Sequence, residues 1–115
     1  MRYIVPLTLM LMAAPALAAD LATGDAIRAS LVGNTVTGSM AASGGYAEFY
    51  APDGSLHAAD YTGKWAVKGD KMCFTYGQDP EVCWSVAING AQVIWMSEAG
   101  EEGHGSIKPG NPGGW

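Results

Sequence analysis

Two short turn signals, Gly69-Asp70 and Asn89-Gly90, constrain the fold of this chain more than any other feature of its sequence. Each stands between runs that alternate apolar and polar residues, the pattern of a β-hairpin closed by two residues. A turn at Gly69-Asp70 pairs Lys68 with Lys71, Val67 with Met72, Ala66 with Cys73 and Trp65 with Phe74. A turn at Asn89-Gly90 pairs Ile88 with Ala91, Val86 with Val93 and Trp84 with Trp95. Setting Cys73 opposite Cys83 between the hairpins puts Phe74 against Val82 and Met72 against Trp84. Side chains alternate faces along a strand, so each pairing fixes which residues share a side of the sheet. The three choices agree. Trp65, Val67, Met72, Phe74, Val82, Trp84, Val86, Val93 and Trp95 fall on one face, and Lys64, Lys68, Lys71, Thr75, Ser85 and Gln92 on the other. Ile94 and Met96 join the second list, so that face is expected to be partly covered.

Upstream, Asp20 to Leu31 reads as a short helix, with Thr23 as N-cap, Asp25 in the first turn and Gly33 as the stop. Asn34 to Met40 is a candidate first strand, and Ala41 to Gly45 a turn. Tyr46 to Ala51 and Leu56 to Tyr61 form a hairpin around Pro52-Asp53-Gly54-Ser55, a proline–aspartate–glycine turn. A four-residue loop there sets Ala51 opposite Leu56 and Phe49 opposite Ala58. The opposite face then carries Tyr46, Glu48, Tyr50, His57 and Tyr61, the candidate binding face. After Ser97 comes an acidic glycine-rich loop, then a last strand from His104 to Lys108. The expected class is all-β: an antiparallel meander of about eight short strands curled into a small barrel or half-barrel, with one N-terminal helix and one disulfide. A two-layer sandwich is the alternative, which periodicity does not separate from a barrel.

Residues 1–18 are set apart from the fold. Arg2 opens a basic n-region, Ile4 to Ala14 form an apolar h-region, and Ala16-Leu17-Ala18 fits a signal-peptidase site, so the expectation is a secretory signal peptide. Residues 19–108 then form a single β-domain, and 109–115 a flexible Gly/Pro-rich tail. The chain has 115 residues, 49% of them hydrophobic, enough for one core. Without Arg2, five Lys or Arg (six less one) face eleven Asp or Glu, a net charge of −6 where the full chain has −5. Such an acidic domain, without a basic cluster, argues against nucleic acid or an anionic membrane surface as partner. No membrane span is expected once the signal is removed, and the location is periplasmic or secreted. In an exported chain, Cys73 and Cys83 read as a structural disulfide; their C-x9-C spacing is not that of a redox C-x-x-C.

The segments Leu31-Val-Gly-Asn-Thr-Val, Phe49-Tyr-Ala-Pro-Asp-Gly, Gly63-Lys-Trp, Met72-Cys-Phe, Cys83-Trp and Gly110-Asn-Pro span nearly the whole mature chain. Together they resemble the landmarks of small exported alphaproteobacterial β-proteins of unknown function. The resemblance implies a periplasmic β-protein and supplies no activity. Gly63-Lys64-Trp65 and the cysteine pair are also similar to the periplasmic inhibitors of secreted metalloproteases, small lipocalin-like barrels with one disulfide and a G-x-W stretch. Those inhibitors insert an extended N-terminal segment into the enzyme, whereas Asp20 to Leu31 reads as helical.

Chemical constellations are sparse. His57 and His104 are the neutral-pH bases. Glu98, Glu101, Glu102 and His104 form the one local carboxylate–histidine cluster, a weak candidate for a divalent cation whose spacing matches neither an EF-hand nor H-E-x-x-H. No serine sits in a nucleophile elbow and no phosphate-binding loop is present, so no catalytic residue and no cofactor is assigned. The tryptophans and Phe74 are expected to fill the interior rather than line a cavity. Three functions stay open. The first is a non-catalytic periplasmic binding or accessory module, meeting an unknown protein or small-molecule partner through the tyrosine-rich face or the tail ending in Trp115. The second is an inhibitor of a secreted protease or lysozyme. The third is a small metal carrier or enzyme using His57 or His104.

Overall fold

A computed structural model describes residues 20–115; the signal peptide expected over 1–18 lies outside the described residues. Helix α1 (Gly24–Leu31) is followed by eight strands: β1 (Asn34–Met40), β2 (Gly44–Tyr50), β3 (Ser55–His57), β4 (Thr62–Lys68), β5 (Lys71–Thr75), β6 (Val82–Asn89), β7 (Gln92–Ser97) and β8 (Gly100–Pro109). Each strand pairs antiparallel with the next, and β1 pairs with β8, so the sheet closes into a barrel rather than a sandwich. Closure satisfies the backbone groups that an open sheet would leave at its edges.

The β4–β5 register is the one read from the Gly69-Asp70 turn, with Trp65 against Phe74, and the β5–β6 register the one set by the cysteine pair, with Cys73 against Cys83 and Phe74 against Val82. Cys73 and Cys83 are joined as a disulfide. Between β6 and β7 the observed pairs are Ile88 with Val93 and Val86 with Trp95, and the turn residues are Gly90-Ala91. That differs by two residues from the expected register, because Asn89 pairs with Gln92 instead of entering the turn. A shift of two preserves the faces. Met72, Phe74, Val86, Val93 and Trp95 accordingly fill the core, with Trp65, Val67 and Trp84 packed against it. Val82, at the strand's end, is 43% exposed.

The β2–β3 hairpin is a different case. Tyr50 pairs with Leu56 and Phe49 with His57, one residue away from the expected register. Ser55 is drawn into the loop: its carbonyl accepts from Ala51 N–H at 2.9 Å, and its N–H donates to Asp53 Oδ1 at 2.9 Å. Five residues, 51–55, therefore separate the paired Tyr50 and Leu56, and β2 turns its other face inward while β3 keeps Leu56 inside. Glu48 and Tyr50 point into the barrel with Val36 and Leu56, while Phe49 and His57 lie on the other side.

Helix α1 covers one end of the barrel. Thr23 caps it as expected, its Oγ1 accepting from Ala26 N–H at 3.2 Å. Ile27 and Leu31 enter the core and are fully buried. The Gly69-Asp70 turn supplies the seat: Asp70 Oδ1 accepts from Gly24 N–H at 2.8 Å, and Gly24 lies so close to the Gly69 carbonyl that a side chain would not fit. Just before the helix, Ala22 N–H bonds to the Val86 carbonyl at 2.7 Å where β6 has run past the end of its pairing with β5. The last strand begins at Gly100, four residues before the expected start. The tail beyond it is tied down. Gly110 N–H donates to Asn34 Oδ1 and its carbonyl accepts from Thr35 Oγ1, while Asn111 Nδ2 donates to the Trp115 carbonyl at 2.8 Å. No described helix is long and apolar enough to cross a membrane.

Candidate functional site

The end of the barrel opposite α1 is open, and a cavity of about 580 Å³ descends from it. Its rim is formed by Ser43, Gly45, Thr62, Gly77 and Val82. Below the rim stand Met40, Trp84 and the ring of Tyr76, and the floor is Phe74 and Trp95, which meet edge to face with centroids 5.5 Å apart. The tryptophan face is thus filled around α1 and hollow towards the mouth.

Glu48 lies in the wall of this cavity, 5% exposed. Three phenols donate to its carboxylate: Tyr61 Oη at 2.7 Å and Tyr76 Oη at 2.8 Å to Oε2, and Tyr50 Oη at 3.3 Å to Oε1. A fourth, Tyr46, accepts from the Trp95 indole N–H at 2.7 Å and donates to the His104 carbonyl at 3.0 Å. Glycine makes room for Tyr46: a Cβ at Gly105 would come within 2.5 Å of its hydroxyl. Rings link the phenols, Tyr61 to Tyr76 at 5.9 Å and Tyr50 to Phe74 at 5.6 Å.

Burial, the largest cause, raises the pKa of all four tyrosines, and the Glu48 charge adds to it. Tyr46 is pushed up to about 12, the bond from Trp95 offsetting part of the rise. Tyr50, Tyr61 and Tyr76 move in the same direction, the Glu48 charge and hydrogen bond both opposing a second negative charge. These hydroxyls are neutral donors at physiological pH. Among the described residues, no lysine, arginine or histidine lines the cavity.

Of the expected face, Tyr46, Glu48 and Tyr50 come together inside the barrel instead of on its surface, and Tyr61, 40% exposed, joins them from the cavity's edge. His57 is not with them. It stands outside, its Nε2 2.8 Å from Ser55 Oγ, which in turn donates to Asp53 Oδ1 at 2.5 Å. The order is carboxylate–serine–histidine, so the serine proton goes to Asp53 rather than to the imidazole, and the arrangement locks a turn. Those bonds from Ser55 also hold the exposed Asp53 carboxyl below its ordinary pKa.

Glu98, Glu101, Glu102 and His104 do not converge. Glu101 Oε1 is 4.0 Å from His104 Nδ1, while Glu102 accepts from Ser97 Oγ at 2.6 Å. Among the described residues, the one grouping of three side chains able to ligate a metal is Cys73, Glu81 and Cys83. Its sulfurs are already spent in the disulfide, and Glu81 pairs with Lys68 at 2.8 Å.

Tyr76 and Met40 complete the cavity and had not been assigned to it. Alternation carries the signal for Tyr76: it stands two residues after Phe74 and four after Met72, on the same side. No family model, curated protein or solved structure matches the chain.

Proposed function

We propose that the protein is a non-catalytic exported binding module that takes a small molecule into the open mouth of its barrel. The observation that carries this reading is the half-filled interior, a cavity of about 580 Å³ with aromatic walls and one embedded carboxylate. That size, and an apolar lining with a few fixed polar groups, suit a small-molecule site. The chemistry of the lining supports binding over turnover. It has no histidine, cysteine or lysine; its one serine, Ser43, is at the rim; and its phenols hold their protons tightly.

The disulfide and the leader motif of residues 1–18 support export to the periplasm, in keeping with the resemblance to small exported alphaproteobacterial β-proteins. Expressed with its own leader in a Gram-negative host, the protein is expected in the periplasmic fraction, oxidised and beginning at Ala19. Recovery from the cytoplasm with residues 1–18 intact would count against export.

The binding reading is tested with N-phenyl-1-naphthylamine, a neutral fluorophore that brightens in apolar surroundings. Saturable binding is expected, weakened several-fold or more in Val82→Trp, which narrows the mouth at an exposed rim position. No saturable binding, or equal binding to the narrowed variant, refutes the cavity as the site.

A further inference from the structure

Among the described residues, Glu48 is the only charged one on the cavity wall. Three phenols donate to it, but a phenol brings a dipole and no charge. The negative charge is left without a counter-charge in surroundings of low dielectric, where its attraction for a cation is strongest. None of the described lysines or arginines lines the cavity; Arg28 reaches the Val67 carbonyl and Asp25 beside the helix, and Lys68 meets Glu81.

The buried polar atoms, by contrast, already have partners. No buried side-chain nitrogen or oxygen among the described residues lacks a partner, and Tyr46 both accepts and donates. A calcium or magnesium ion needs several charged oxygens, and the wall offers one carboxylate. An anion meets Glu48. What the cavity lacks is positive charge, and its aromatic walls attract a cation.

Resting on the reading of the mouth as a ligand site, we infer that its ligand is an organic cation of the tertiary or quaternary ammonium class, its charged head lodged beside Glu48 between aromatic rings. A weakly hydrated ammonium of this kind enters an apolar cavity at less cost than a primary amine, whose N–H groups would need partners.

The test compares choline with 3,3-dimethylbutan-1-ol, which has the same shape with carbon in place of the charged nitrogen. Binding is followed by tryptophan fluorescence and by displacement of N-phenyl-1-naphthylamine. Choline is expected to bind about tenfold or more tightly than the alcohol, and Glu48→Gln to erase most of that difference. Equal or tighter binding of the alcohol overturns the ammonium assignment. So does the fluorophore binding while choline does not, and both outcomes leave the cavity standing as a site. Failure of every probe, fluorophore included, overturns the binding reading itself. The choline-to-alcohol ratio is measured on the unmodified protein, so the outcome does not depend on the variant folding.

Discussion

Glu48 organises its surroundings by what it accepts. Tyr50 comes from its own strand, Tyr61 from the β3–β4 connection and Tyr76 from just past β5, so one carboxylate gathers phenols from three parts of the sheet. All four interior tyrosines hold their protons more tightly when folded than their ordinary value of 10.0. Their contribution to stability is therefore whole below about pH 10 and drains away as pH climbs towards the folded values, where the unfolded chain has lost protons that the folded one keeps. Absorbance at 295 nm is expected to show these phenols un-ionised in the folded protein at pH 10.5 and titrating normally in urea, with the urea midpoint falling from pH 9.5 upwards. A second prediction concerns Gly38, where a Cβ would drive into the His104 carbonyl and 2.5 Å from Gly105 Cα across the β1–β8 seam. Gly38→Ala is expected to cost about 1–3 kcal/mol in chemical unfolding. At this scale the sequence was half legible: alternation located Phe74 and Trp95, but a glutamate flanked by tyrosines reads as an outer surface, since charge is rarely buried.

Turns decide how far an element can be read in advance. The Gly69-Asp70 turn has a glycine with positive φ and the expected register on both sides. The next hairpin slid by two residues and kept its faces. The β2–β3 hairpin slid by one and turned the other face of β2 inward, because Asp53 and Ser55 bond within the loop and lengthen it. Loop length is set by a side-chain hydrogen bond there, and the pattern of apolar residues does not record it. The helix was legible as an element, cap included, but its seat was not: Asp70 lies 46 residues from Gly24 along the chain. Asp70→Ala is expected to lower stability by about 1 kcal/mol and to speed hydrogen exchange over Gly24–Leu31 before the strands are affected.

For the molecule as a whole, barrel closure rests on β1 meeting β8, which binds the two ends of the domain together. The disulfide adds a local constraint inside a ladder that is complete without it. Its sequence separation of 10 makes it worth about 2–3 kcal/mol in the chain-entropy account, so Cys73→Ser/Cys83→Ser is expected to melt lower yet keep its β circular dichroism spectrum. Antiparallel order was readable from successive tight turns; the final closure was not, since it depends on strand tilt and on Gly38, Gly103 and Gly105 letting the seam come close. With α1 plugged into its base, the barrel is a cup and not a pipe. On the proposed reading of the mouth as a ligand site, whatever enters must leave past the same lip and none passes through. A donor and a receiver would have to take turns at the rim formed by Ser43, Thr62 and Gly77.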